Sequence, residues 1–315
     1  MLPDYRAAIE GSVYFTHDRA GCLRIGGEDR VAFLQRQTTN DLSLLSPERS
    51  VVTVLVSPTA RILDVLRVIV RGEDLIVLTL PGHGGDTARY LKKRIFFMDK
   101  VRLEDESQRF IQMDLEGPGT GEAVQKLGFP SIPELDGVAI AQIETSTLCA
   151  VRQRGLSEAS YRLLIPSEAW GMVEKRLRQA GVERLSPESY EVLRVEAGVP
   201  AAGAELTEEY TPLEAGLGYA VSGNKGCFTG QEVLARQTTY DKVVRHLVRL
   251  GLEAPAQAGE RLYAGGEIVG VITSAAVSPR MGAIGLGMVK RPHHEAGTEL
   301  LAGENGPRAT VAGAV

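Results

Sequence analysis

The first half of the chain is broken into short apolar runs whose spacing predicts strands and helices in mixture. VVTVLV (51–56) and ILDVLRVIV (62–70) read as strands joined by SPTAR, and DLIVLTL (74–80) follows a glycine-containing turn as the next strand of a hairpin. Upstream, DRVAFLQRQ (29–37) places Val31, Phe33 and Leu34 on one helical face, and TTND ends that helix with loop chemistry. DTARYLKKRIFF (86–97) predicts a helix capped by Asp86 or Thr87, and further strands are expected at 109–115, 138–143 and 147–152.

Two later helices carry clear punctuation. Residues 168–180 follow Ser167 and stop before Gly181. Residues 187–197 have Ser186 as N-cap, Pro187 at the first helical position and Gly198 just past the end. From about residue 243 the texture changes to short β-rich runs broken by glycine and proline, such as RLYAGGEIVGVITSAAVSP and GAIGLGMVKR. The expected organisation is an α+β region over 1–240, of one or two subdomains, followed by a small all-β barrel or sandwich over 241–315.

Composition narrows the function without choosing it. The chain has 315 residues, 43% hydrophobic and 24% charged, enough to bury a core without disulfides or metal. Its formal net charge of −5 gives no overall positive field, so neither direct nucleic-acid binding nor an anionic membrane is expected. The N-terminal stretch lacks a secretory pattern, and Cys22, Cys149 and Cys227 are too scattered for a disulfide framework, so a reducing, cytoplasmic setting is expected. There is no CxxC, HxxxH or P-loop pattern, and His293-His294 has no third ligand in view, so no metal is expected.

One loop stands apart: NKGCFTGQEVLARQ (224–237). TGQE (229–232) has the form of a capping box, with Phe228 and Val233 placed to staple the helix start. That would set Cys227 just upstream of a helix N-terminus and two residues from Lys225, surroundings that favour a thiolate. A lone cysteine is also, by default, a small buried hydrophobe. The local chemistry admits both readings.

KGCFTGQE resembles the signature of the YgfZ family of folate-binding proteins, which serve the making or repair of iron–sulfur enzymes. LRVEAGVP (193–200) and TPLEAGLGYAV (211–221), in order just before the cysteine loop, resemble segments of the larger relative, the glycine-cleavage T-protein or aminomethyltransferase, and FLQRQTTNDL (33–42) and the glycine-rich C-terminal strands fit the same architecture. The resemblance covers nearly the whole chain. It implies a T-protein-like multi-domain fold with tetrahydrofolate held near a central opening.

Three positions carry over from the resemblance. Glu158 matches the pterin-binding glutamate, a role suited to a carboxylate that accepts two neighbouring N–H donors; by itself it would be a surface loop acid. Arg194 matches an arginine that helps hold the folate ring; by itself it would pair with Glu191 or Glu196 on a helix surface. Asp64 matches the first of a pair of acids near the folate amine, with Val65 in place of the second; by itself it would be a solvent-facing strand residue. The leading expectation is a tetrahydrofolate-binding accessory protein with iron–sulfur client proteins, working through Cys227 and Lys225. The alternative is an aminomethyltransferase that moves a one-carbon unit from a lipoyl carrier to tetrahydrofolate, with Asp64 as its acid. A folate-binding module without chemistry is the third.

Overall fold

A computed structural model describes residues 3–130 and 134–315. Its strands in chain order are β1 (Val13–Thr16), β2 (Cys22–Gly26), β3 (Val51–Val56), β4 (Ile62–Arg71), β5 (Asp74–Leu78), β6 (Arg102–Asp105), β7 (Phe110–Glu116), β8 (Val138–Ile143), β9 (Ser146–Gln153), β10 (Ser160–Pro166), β11 (Glu183–Arg184), β12 (Arg245–Leu252), β13 (Arg261–Ala264), β14 (Glu267–Ser278), β15 (Gly282–Lys290), β16 (Glu299–Ala302) and β17 (Arg308–Ala314). The helices are α1 (Pro3–Glu10), α2 (Arg30–Gln37), α3 (Gly84–Lys92), α4 (Thr120–Lys126), α5 (Trp170–Gln179), α6 (Pro187–Ala197) and α7 (Gln231–Thr239).

These elements make three β units. A five-stranded sheet runs β3-β4-β5-β2-β6, and a six-stranded sheet runs β11-β1-β7-β10-β9-β8. The chain starts in the second, leaves to build the first, then returns. β12 to β17 close into a barrel in the order β12-β15-β14-β13-β16-β17, so the C-terminal unit has no open sheet edge. The fold is α+β with a C-terminal six-stranded barrel.

The units share buried seams. Ile69, Ile76 and Leu78 of the five-stranded sheet pack with Cys149, Val151 and Leu164 of the six-stranded one. Val54, Val56 and Ile62 of the five-stranded sheet pack with Leu247, Ile284 and Leu286 of the barrel. Cys22 and Cys149 are buried in the first of these seams, where burial pushes both thiols up to about 12.

Strand placement follows the apolar runs closely, while helix ends obey tertiary contacts. Ser186 accepts from the Ser189 amide and Gly198 adopts a left-handed φ of 78°, the cap pattern expected of α6. The helix expected at 86–97 instead begins at Gly84 and ends at Lys92, with neither Asp86 nor Thr87 capping it. Thr87 lies inside the helix, its hydroxyl donating to Asp64, and Phe96 and Phe97 fall in an exposed turn beyond the helix. The capping box also does not form. Gly230 occupies the N-cap of α7 with φ 79°, without a side-chain cap bond, and Glu232 pairs with Arg236 one turn on.

Candidate functional site

The three units surround a cleft of ≈ 950 Å³, within the size range of small-molecule sites. β4 contributes Val65 and Leu66, the loop before β10 contributes Glu158, and the segment after α6 contributes Val199 and Pro200. The last residue of the chain, Val315, closes one side. Gly198 makes this meeting possible: a Cβ there would lie 3.1 Å from Val315 and 3.2 Å from Arg249, in a backbone conformation that side chains disfavour.

The cleft combines charged, aromatic and apolar side chains. Glu158 is exposed to the cleft, and its carboxylate makes no hydrogen bond or ion pair among the described residues. The Arg154 guanidinium lies 4.6 Å from the centroid of the Tyr219 ring, forming a cationic face on an aromatic plate. Arg67, also in the wall, donates to Asp136 at 2.8 Å and to Ser50 at 2.9 Å. The cleft thus offers an acceptor with open lone pairs, a stacked cation and an apolar floor to a small molecule.

Asp64 and Arg194 do not enter this cleft. On β4 the side chains alternate, so Val65 faces the cleft and Asp64 faces the opposite way, fully buried. There Asp64 accepts from the Thr87 hydroxyl at 2.5 Å and from the Leu80 amide at 3.0 Å, while burial raises its pKa to about 6. Arg194, buried in α6, pairs with Glu191, Glu205 (3.3 Å) and Ser274 (2.7 Å) and donates to the Val199 carbonyl at 3.1 Å. Leu80 and Val199 both line the cleft. The two charged residues therefore brace its walls, and the solvent-facing placement of either is ruled out by burial.

The cysteine loop is a third arrangement. Cys227 is exposed and is not among the residues lining the central cleft. Lys225 is turned inward, donating to the carbonyls of Gln35 (2.7 Å), Thr38 (2.6 Å) and Asn40 (2.8 Å). Burial lowers its pKa to about 8, and the three carbonyls match the three donors of an ammonium. Lys225 thus fastens the loop to the end of α2 instead of sitting free beside the sulfur. The fastening reaches the cleft, because Asn40 also donates to the Tyr219 carbonyl at 3.3 Å and Thr39 to the Ala220 carbonyl at 2.7 Å. Thr38, Thr39 and Asn40 were legible only as loop formers; nothing local marks them as the hub between cleft and cysteine.

A buried polar cluster behind the cleft was also missed. Arg162, which lines it, pairs with Asp114 through two bonds of 2.7 and 2.8 Å, and His17 lies 2.6 Å from the same carboxylate. Burial alone would raise the Asp114 carboxyl, but the Arg162 guanidinium, with His17 beside it, holds it well below the ordinary range. Glu116, two residues on, accepts from Ser157 (3.0 Å) and Ser160 (2.6 Å), and burial followed by repulsion from Asp114 pushes it up to about 8. Among the described residues no three His, Cys, Asp or Glu side chains converge on a metal position, and no helix is long and apolar enough to cross a membrane.

Residues 3–225 match the GCVT N-terminal domain, and 245–312 match the glycine cleavage T-protein C-terminal barrel domain. A chloroplastic protein of Arabidopsis thaliana, classed provisionally as a transferase, is 30% identical over 90% of this chain and 67% of its own. The aminomethyltransferase of Oceanobacillus iheyensis is 28% identical over 91% of this chain and 81% of its own. Glycine cleavage system aminomethyltransferase T from Bartonella henselae shares the fold, with a TM-score of 0.87 over 98% of this chain and 87% of that one at 23% identity. Two family domains in order, covering both the α+β region and the barrel, place this chain in the glycine cleavage T-protein family of aminomethyltransferase-like proteins.

Proposed function

We propose that this protein holds a reduced folate, tetrahydrofolate or a one-carbon derivative of it, in the central cleft and acts in one-carbon transfer as aminomethyltransferases do. The observation that carries this reading is the Glu158 carboxylate, which faces the cleft without a protein partner beside the Arg154–Tyr219 stack. A carboxylate left with open lone pairs in a cleft of this size is completed by a ligand with adjacent N–H donors. Membership in a family whose members include aminomethyltransferases supports the transfer chemistry. The test is calorimetric titration with tetrahydrofolate, followed by turnover with an aminomethyl-loaded lipoyl carrier protein. Absence of tetrahydrofolate binding by the wild-type chain overturns the reading. Binding without turnover leaves only its first half.

A second reading is favoured by the alternation on β4. Val65 occupies the cleft-facing position and Asp64 is locked behind it, so this strand offers no acid to a folate amine. The same chain presents an exposed thiol at Cys227. Both suit a folate-binding accessory protein for iron–sulfur enzymes, in which no acid need act on the folate amine. Under this reading Cys227→Ala abolishes rescue of a cluster-enzyme defect while folate affinity is kept; full rescue by that variant removes it.

A further inference from the structure

Three large apolar side chains stand out from the surface on one turn beyond α3. Phe96, Phe97 and Met98 are 67%, 98% and 75% exposed, although apolar residues this size are normally covered. The turn is fixed. The Asp99 amide donates to the Phe96 carbonyl at 2.9 Å, and the Asp99 carboxylate accepts from the Phe96 amide at 3.0 Å. Arg36 of α2 holds that carboxylate from below at 2.9 Å. A turn braced from both sides presents its apolar tip at little further ordering cost.

The chain on either side of the tip is rich in cations. Lys92, Lys93, Arg94, Lys100 and Arg102 flank it in the sequence KKRIFFMDKVR, with Asp99 the one acid of that stretch. Lys92, Lys93 and Arg102 form no ion pair among the described residues, and Lys100 is paired with Glu28. The tip also adjoins the cysteine loop through a shared residue: the Arg36 carbonyl accepts from the Thr229 amide at 3.4 Å, while its guanidinium holds Asp99.

The geometry points to a docking surface for an acidic protein, whose apolar pocket, rimmed by carboxylates, receives Phe96, Phe97 and Met98. An apolar anchor inside a charged rim is the arrangement by which protein interfaces combine affinity with steering. A protein fits better than a lipid surface on two grounds. The chain as a whole is anionic at −5, which opposes a broad anionic membrane but not a local acidic pocket. One apolar prong is also too little for stable anchoring in a bilayer. The proposal is independent of what occupies the cleft.

The test places the photo-crosslinking residue p-benzoylphenylalanine at Met98 in the full chain, in its own host. The captured protein is then purified and titrated against the unmodified chain. An acidic partner is expected whose binding weakens about tenfold or more in Phe97→Ser and in Lys93→Glu/Arg102→Glu. The affinity is also expected to fall as salt rises from about 50 to about 500 mM. Tetrahydrofolate affinity and melting temperature of these surface variants stay at the wild-type value. Three results overturn the proposal. One is a captured protein whose binding ignores both variants. Another is sedimentation with phosphatidylglycerol–phosphatidylcholine vesicles that Phe97→Ser abolishes. The third is a concentration-dependent dimer that Phe97→Ser dissociates.

Discussion

Arg194 and Glu205 form a buried ion pair, 3.3 Å apart, that joins α6 to the loop after it and, through Ser274, to the barrel. Glu205 is fully buried, so removing Arg194 strands a charge away from water. Arg194→Ala is expected to destabilise the fold by about 3–5 kcal/mol. The double variant Arg194→Met/Glu205→Leu should regain most of that. Thermal melts of the three variants check it; an Arg194→Ala melt within a degree or so of wild type would remove the structural assignment.

Glu158 behaves in the opposite way. Its carboxylate is exposed and free of protein partners among the described residues, so Glu158→Gln should leave the melting temperature unchanged. Loss of a charge-assisted contact to the pterin should weaken tetrahydrofolate by about 1.5–3 kcal/mol, roughly tenfold to over a hundredfold. Fluorescence titration of the folate reads this directly.

Lys225→Met is expected to loosen the cysteine loop while leaving the thiol in place. Three carbonyls of the α2 terminus lose their donor, a loss of about 2–3 kcal/mol after partial rehydration. The rate of Cys227 modification by a thiol reagent should change in this variant, and the melting temperature should fall. Cys227→Ser, exposed and outside the core, should melt like the wild type.

Glu116 gives stability a pH dependence of definite sign. Its folded pKa of about 8 lies above the ordinary 4.5, so the folded state keeps a proton that the unfolded chain loses. That contribution is complete below about pH 4.5 and is lost as pH rises through about 8. Asp64, at about 6 against 3.8, adds a loss of the same sign at lower pH. Glu116→Gln is expected to flatten the fall in melting temperature between about pH 5 and 9, and an unchanged slope would count against the assignment.

Gly198→Ala is expected to cost about 1–2 kcal/mol through its left-handed backbone alone, and more if Val315 and Arg249 must yield. Val315 lines the cleft, so folate affinity should fall with stability in this variant, unlike in Glu158→Gln. Parallel melts and titrations separate the two patterns.

Much of the architecture follows from local pattern. The apolar runs at 51–56 and 62–70 became β3 and β4 because β-branched residues suit a pleated strand, with β4 alternating in burial and β3 buried on both faces. Ser186, Pro187 and Gly198 bounded α6 because caps satisfy backbone groups within a few residues of themselves. The shift to glycine-rich β texture after residue 243 preceded a barrel beginning at Arg245, and the motif order along the chain reached the glycine cleavage T-protein family, though the matching domains do not single out its YgfZ branch. Tertiary structure alone decided what the charged residues do. Whether Glu158 meets the cleft while Arg194 and Asp64 stand behind its walls depends on which face each backbone turns inward, and on partners 11 to 80 residues away. The same holds for Lys225, whose ammonium lies closer to Gln35, Thr38 and Asn40 than sequence distance suggests. Hydrophobic periodicity is a short-range property, whereas burial and pairing of a charge are fixed only when distant segments close over it.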